Sequence, residues 1–119
     1  MTKKRYDKHS TEFGLWLREQ PEIDSKLGFL ATNVDYMWSN YKTGDWMLIE
    51  EKRYNATLKD WQRKMFIVID SICRLDKKYR GFHLITFEKT NPNDGKIFLG
   101  RNKKEISKDK LIKFLKFDG

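Results

Sequence analysis

The sequence predicts a mixed α/β fold, in which a central mixed β-sheet is flanked by helices in the order α-β-β-(β)-α-β-β-α. Three segments carry apolar residues at helical spacing, and the stretches between them contain short apolar runs bounded by turn residues. A length of 119 residues favours one domain with a modest core. We therefore predict a single domain over residues 1–119, with residues 1–9 as a flexible basic arm.

A short helix is predicted near the start of the chain. Ser10 or Thr11 can cap it, because a hydroxyl oxygen can accept a hydrogen bond from the first turn. Phe13, Trp16 and Leu17 then lie at positions i, i+3 and i+4, which places them on one face of the helix. Pro21 ends the helix, because proline cannot continue the hydrogen-bond ladder.

The next segment is predicted to form strands. We expect one strand around residues 28–33 and another around residues 34–41, and the two can be continuous. A turn around Gly44 then leads into a strand over residues 46–53. If this turn folds the last strand back onto the preceding one, the two strands pair as a hairpin.

The longest helix is predicted to begin at Asn55 or Thr57 and to end near Lys77. Its start follows directly on the charged end of the preceding strand, and its length allows one face to cover a sheet. The expected buried stripe contains Leu58, Trp61, Met65, Val68, Ile72 and Leu75, widened by Phe66, Ile69 and Cys73.

The remaining third of the chain is predicted to contain two strands and a helix. Residues 81–89 form the first strand, and a turn over residues 91–95 joins it to a short strand over residues 96–100. Ser107 can cap the last helix. The core-facing residues of that helix are Leu111, Phe114 and Leu115.

The charge of the chain predicts a polyanionic partner. Lysine and arginine number 25 against 17 acidic residues, which gives a net charge of +8. So basic a surface on a small protein favours nucleic acid over a membrane. The alternative is a basic surface that serves only solubility.

Cysteine content and hydropathy indicate the cellular environment that we expect for the protein. The single cysteine, Cys73, excludes an internal disulfide framework and a cysteine-based zinc cluster, so we expect a reducing, intracellular, cytoplasmic environment. The basic N-terminus has no apolar run behind it, which argues against a signal peptide. The longest apolar run of the predicted long helix, MFIVI, is far too short to span a membrane, and no membrane partner is expected.

The end of the strand over residues 46–53 carries charge where an interior strand should be apolar. Alternation places Leu48, Glu50 and Lys52 on one face and Glu51 on the other. Both faces are apolar where the strand begins, so both are expected to be covered. A buried carboxylate costs several kcal/mol unless it is compensated, here by the lysine, by a metal ion or by open water.

A second carboxylate is predicted to approach Glu50. Asp35 lies 15 positions earlier, on the strand that the Gly44 turn folds back. Two close carboxylates repel each other, and a hard divalent cation such as Mg²⁺, with Mn²⁺ as a substitute, relieves that repulsion. Lys52 points at the same place, where it can stabilise a phosphoryl group or orient an attacking water.

Asp35 and the run Glu50-Glu51-Lys52 resemble the motif of the PD-(D/E)XK nuclease superfamily. Val34 stands where that motif has proline, and the similarity covers about residues 10–89. The resemblance implies a restriction-endonuclease-like fold and a metal-dependent endonuclease that hydrolyses DNA. The small size resembles Holliday-junction resolvases and phage or mobile-element nucleases, which implies branched DNA as a substrate and a homodimer as the working form.

The same resemblance implies three further site residues. Glu12, on the first helix, would complete the metal site together with Asp35 and Glu50. The backbone carbonyl of Glu51 would be a further metal ligand. Gln62, on the helix after the motif strand, would join the catalytic group.

Each of these residues also has an ordinary structural interpretation. Glu50 and Lys52 could form an exposed ion pair, and Asp35 could bond local backbone at a strand start. Glu12 could be a first-turn acid favoured by the helix dipole, and Gln62 could be solvated.

Four basic residues near the motif are candidate phosphate contacts, although a charge run is more often a solvated face. They are Lys42, Arg53, Arg63 and Lys64. Two alternatives to a DNA nuclease remain open at this point. One is a non-catalytic basic nucleic-acid-binding domain, and the other is an RNA nuclease. Divalent-metal binding separates the first alternative from a nuclease, because only the nuclease requires it.

Overall fold

The structure is a computed structural model that describes residues 11–29 and 33–118. The chain divides into two compact units, Met1–Asn33 and Val34–Gly119, and each is described by itself. The expected basic arm over residues 1–9 and the alternative cap Ser10 lie outside the described residues. The prediction of one domain over the whole chain stays a prediction.

The first unit contains the predicted short helix, α1, which spans Glu12–Arg18. The Thr11 hydroxyl accepts a hydrogen bond from the Gly14 amide at 3.0 Å, so the predicted cap at Thr11 is confirmed. Two short 3₁₀ helices follow, at Pro21–Ile23 and Ser25–Leu27. Pro21 thus begins a new turn immediately after α1, in agreement with the predicted helix end.

The predicted strand around residues 28–33 is wrong for the residues of it that the structure describes. Gly28 takes the left-handed conformation, with φ +99°, and closes the 3₁₀ helix by donating its amide to the Ser25 carbonyl. Phe29 and Asn33 are also outside any strand. The remaining part of this prediction, residues 30–32, lies outside the described residues.

The second unit is built on a five-stranded mixed sheet, which confirms the predicted mixed α/β class. The strands are β1 Tyr36–Ser39, β2 Trp46–Lys52, β3 Tyr79–Phe87, β4 Ile97–Leu99 and β5 Lys104–Ile106. They lie in sequence order across the sheet, and β2 and β3 are parallel while all other neighbours are antiparallel. The predicted hairpin of β1 and β2 is confirmed. The sequence did not predict β5, which has three residues, two of them exposed and charged.

Helix α3, Lys108–Leu115, begins as predicted at Ser107, whose hydroxyl accepts a hydrogen bond from the Lys110 amide at 3.1 Å. Leu111 is buried, and Phe114 and Leu115 pack against the same cluster, as predicted. The main apolar core lies on this side of the sheet and contains Met47, Ile49, Ile85, Phe87, Ile97, Ile106 and Leu111.

Helix α2 spans Asp60–Cys73 and connects β2 to β3, so it is shorter at both ends than predicted. Its late start has a local cause. The amides of Tyr54 and Asn55 donate to the Lys89 and Phe87 carbonyls, which ties the chain after β2 to the end of β3. Both residues also have positive φ, which a helix does not allow.

The predicted buried stripe of α2 is rotated from the observed one. Phe66, predicted only to widen the stripe, is its buried residue at 5% exposure, and its ring packs on Phe82 with centroids 4.5 Å apart. Met65, a predicted stripe residue, is 41% exposed, and Val68 and Ile72 are exposed too. Both faces of the helix, the predicted and the observed, carry apolar residues in the sequence, and packing on the sheet selects the face that contains Phe66.

In the part of the chain that the structure describes, every helix is too short or too polar to span a membrane.

Adjacent substitutions on α2 test this orientation. We expect Phe66→Ala to lower the free energy of unfolding by about 3–5 kcal/mol, because it removes a buried aromatic ring. Met65→Ala removes a half-exposed side chain and should cost less than about 1 kcal/mol. Urea unfolding of both variants measures the difference. A larger loss of stability for Met65→Ala than for Phe66→Ala would show that the stripe predicted from the sequence is the buried one.

Candidate functional site

The candidate site lies at the carboxyl end of β2. Tyr36 pairs with Ile49 across the β1–β2 hairpin, so Asp35, one residue before β1, continues the register opposite Glu50. The Asp35 carboxylate accepts a hydrogen bond from the Glu51 amide at 2.8 Å. The predicted approach of Asp35 to Glu50 is confirmed. The alternative was that Asp35 bonds local backbone, but the backbone amide that it accepts from belongs to the neighbouring strand β2.

Glu50 is a buried carboxylate with incomplete compensation. It is 5% exposed, and its Oε2 lies 3.4 Å from the Lys52 Nζ. Its Oε1 is buried and accepts no hydrogen bond from an N–H or O–H donor among the described residues, although a proton on Glu50 can be shared with the neighbouring Asp35 carboxylate. Burial, and then the negative charge of Asp35, raise the pKa of Glu50 from the ordinary 4.5 to about 7, against the opposing effect of Lys52. The exposed ion pair considered as an alternative is therefore excluded.

Lys52 is held by Gln62. Its Nζ donates a hydrogen bond to the Gln62 Oε1 at 3.1 Å. The same oxygen accepts a hydrogen bond at 3.2 Å from the amide of Lys59, the N-cap residue of α2, so the glutamine is itself fixed. Gln62 thus joins the start of α2 to the charged end of β2, and the alternative of a merely solvated glutamine is excluded.

The Glu51 side chain lies on the opposite face, as alternation predicts. Its Oε2 forms an ion pair with Arg53 Nε at 3.2 Å, and its Oε1 lies 3.4 Å from the Tyr36 hydroxyl. The Glu51 carboxylate is the largest cause of the raised pKa of Tyr36. The side chain therefore does not join Glu50, and a metal-binding role for the Glu51 carbonyl stays a prediction.

The basic residues predicted to contact phosphate have different positions. Arg63 and Lys64 both pair with Asp60 in the first turn of α2, at 2.7 and 3.3 Å, in exposed positions where such pairs contribute little stability. Lys42 lies in the loop before β2, at the opposite end of that strand from Glu50. At about 3.3 Å per residue, the first residue of β2 is already roughly 13 Å from Glu50. Lys42 therefore does not belong to the cluster around Glu50.

The sequence did not single out Thr86, which lies beside Lys52 in the parallel register of β2 and β3. Its side chain is fully buried, and its Oγ1 has no hydrogen-bond partner among the described residues. A threonine in an otherwise apolar strand is weak evidence for function, because its methyl group also suits a strand interior. Register, which the sequence does not give, is what brings Thr86 next to Lys52.

The donor set suits a hard cation, although it is small. Mg²⁺ binds through one or two carboxylates together with waters, and Asp35 and the unpartnered Glu50 Oε1 supply such a pair. Among residues 11–29 and 33–118, no group of three or more histidine, cysteine, aspartate or glutamate residues has metal-binding geometry. Glu12 is the first residue of α1 in the first unit, and its role as a third ligand stays a prediction.

Comparisons of the chain with protein families, with curated proteins and with solved structures find no match.

The raised pKa of Glu50 predicts a pH-dependent stability. The unfolded chain releases the proton of Glu50 near pH 4.5, whereas the folded protein keeps it until about pH 7. Between these pH values the folded state binds more protons, so the free energy of unfolding should fall as pH rises. The loss should reach about 3 kcal/mol above pH 7, at about 1.4 kcal/mol per pKa unit. Glu50→Gln should remove most of this slope and be more stable than wild type at pH 8.

Urea unfolding at several pH values, without divalent cations, measures the slope. Glu51→Gln is the matched control, because it removes a neighbouring carboxylate that is ion-paired on the opposite face. It should keep the wild-type slope. Equal slopes in wild type and Glu50→Gln would show that Glu50 titrates as an ordinary glutamate.

Proposed function

We propose that the protein is a metal-dependent endonuclease of the PD-(D/E)XK type, with a restriction-endonuclease-like fold, that hydrolyses phosphodiester bonds in DNA. One observation carries this proposal. A buried glutamate oxygen without a partner lies beside a second carboxylate and a lysine whose ammonium is fixed in place. Buried polar atoms in proteins usually have hydrogen-bond partners, so a carboxylate oxygen without a donor needs an explanation, and a bound cation supplies one.

The chain's own residues would divide the work as follows. Asp35 and Glu50 would hold Mg²⁺, which when bound polarises the phosphate and lowers the pKa of a ligated water. Lys52, held by Gln62, would stabilise the negative charge that develops on the phosphoryl oxygens or orient the attacking water. Fixing Lys52 in advance matters, because a charge that must first be ordered contributes less to the transition state.

The energetics of Glu50 support the metal-binding role. A buried and incompletely paired carboxylate opposes folding, so it is expected where function retains it. A divalent cation held by Asp35 and Glu50 would attract both carboxylates and so outweigh their mutual repulsion. Binding to the folded state alone would also stabilise the protein.

A non-catalytic basic nucleic-acid-binding domain is the second candidate, favoured by the net charge of +8. It explains DNA binding without any need for a divalent cation. It leaves the unpartnered Glu50 oxygen and the ordered Lys52–Gln62 contact without a role.

We expect cleavage of DNA in Mg²⁺ or Mn²⁺ and none in EDTA, tested on plasmid, linear, single-stranded and four-way-junction DNA. Glu50→Gln and Lys52→Met should each lower the cleavage rate about 10²-fold or more, because each removes a charge that acts on the reacting phosphate. Glu51→Gln is the matched control and should keep most of the activity.

Survival of all four substrates at high enzyme concentration, with both metals, would overturn the catalytic proposal and leave the binding domain. Cleavage of RNA alone, in a parallel assay, would show that the substrate is RNA and would leave the proposed site residues unchanged.

We also propose a homodimer, because two strands must be cut. Sedimentation of the protein with and without junction DNA tests this oligomeric state.

DNA affinity should fall steeply with salt. Each phosphate neutralised by lysine or arginine lowers the logarithm of affinity by about 0.9 per logarithm of salt on duplex DNA. With a net charge of +8 we expect several such contacts, measured by fluorescence anisotropy in EDTA. An affinity that is unchanged between low and moderate salt would argue against DNA as the partner.

A further inference from the structure

A groove of about 260 Å³ opens beside Glu50, between α2 and β3. Its apolar lining comes from both elements and from the chain before α2, and it consists of Leu58, Phe66, Ile67, Phe82 and Leu84. Leu84 is the residue of β3 that pairs with Glu50 in the parallel register, so the apolar lining reaches the candidate site itself. We call this feature the α2–β3 groove.

Cations also line the α2–β3 groove. Arg63, half-exposed, and Arg101, exposed, both contribute to it. The groove contains one further carboxylate, Asp70, but its charge is engaged by the Tyr79 hydroxyl at 2.6 Å and by Arg74 Nε at 2.9 Å. Arg63 is likewise paired with Asp60, so Arg101 is the cation of the groove that forms no ion pair among the described residues. Its positive charge beside the apolar lining suits an anionic ligand with an apolar part.

A nucleotide has this combination of properties. Its base presents flat apolar faces that pack against aromatic and aliphatic side chains, and its phosphate is a ligand for arginine. The groove is smaller than the roughly 300–1,000 Å³ of sites for drug-sized ligands, which suits one base rather than a base pair. A base can enter only when it is unstacked, and extraction from a duplex costs a few kcal/mol.

We propose that the α2–β3 groove binds one unstacked nucleobase next to the phosphate that lies at Glu50. This inference rests on the proposed nuclease function and names its substrate class as DNA with a single-stranded part, such as a single strand, a fork or a flap. The base enters the groove, a neighbouring phosphate contacts Arg101, and the adjoining phosphodiester is brought to Asp35 and Glu50.

The test compares two adjacent residues of α2. Ile67 lines the groove and is 54% exposed, whereas Val68 is 51% exposed and is not among the lining residues. Ile67→Glu and Val68→Glu therefore make the same charge change at similarly exposed positions. A second pair is Arg101→Gln in the groove and Lys104→Gln, exposed and not among the lining residues.

Affinity is measured in EDTA for one oligonucleotide as a single strand and as a blunt duplex, with circular dichroism to verify that each variant folds. We expect wild type to bind the single strand at least 10-fold more tightly than the duplex. Ile67→Glu and Arg101→Gln should each remove at least three-quarters of that preference, while Val68→Glu and Lys104→Gln keep it. No preference in wild type, or equal effects within each pair, would overturn the groove inference.

Cleavage in Mg²⁺ separates this inference from the proposed function. Cleavage of duplex and single strand at equal rates, unaffected by Ile67→Glu, would overturn the groove inference and keep the nuclease. Groove-dependent single-strand binding without cleavage of any substrate would overturn the nuclease and keep the groove as a binding site.

Discussion

The carboxylate of Glu50 is the group on which the rest of the site depends. It is buried at the end of a central strand, close to the like charge of Asp35, and only one of its oxygens lies near a cation. Lys52 alone does not compensate it, since the pKa of Glu50 stays raised to about 7 despite the lysine. The neighbouring groups act on this charge in opposite directions. Asp35 adds to it, Lys52 opposes it, and Gln62 keeps the lysine in place.

The topology explains why these groups meet. Strands β2 and β3 are parallel, so α2 must cross over between them, and its first turn lies where β2 ends. Gln62, in that first turn, can therefore reach Lys52 on the strand. The antiparallel hairpin brings the start of β1 to the same end, and Asp35 with it. Carboxyl ends of strands beside a crossover helix are a usual place for ligands in open α/β sheets.

Local patterns in the sequence were sufficient for much of this arrangement. The alternation of β2 predicted which faces Glu50 and Glu51 occupy, and the Gly44 turn predicted the pairing that brings Asp35 to Glu50. Helix caps at Thr11 and Ser107 were also found, because capping depends on residues three positions apart.

The features that the sequence did not give depend on contacts between distant segments. The buried phase of α2 was mistaken because two overlapping apolar stripes exist, and only packing on β3 selects the one with Phe66. Thr86 and Arg101 were missed because the register of β2 against β3 and the course of the chain after β4 bring them near the site. The three-residue strand β5 has too little apolar pattern to be recognised alone.

The two faces of β2 differ in character, because one packs in the apolar core and the other ends in charged residues. Met47 and Ile49 belong to the main apolar core under α3, so they fix the strand firmly. On the other face Leu48 is a buried apolar residue of the same strand, and it is followed by the charged residues Glu50 and Lys52. A strand held by one face can carry an unfavourable carboxylate on the other without losing its geometry, because the core opposes any displacement of the backbone. The core on the α3 side of the sheet therefore offsets the cost of burying Glu50 and fixes the position of its carboxylate relative to Asp35 and Lys52.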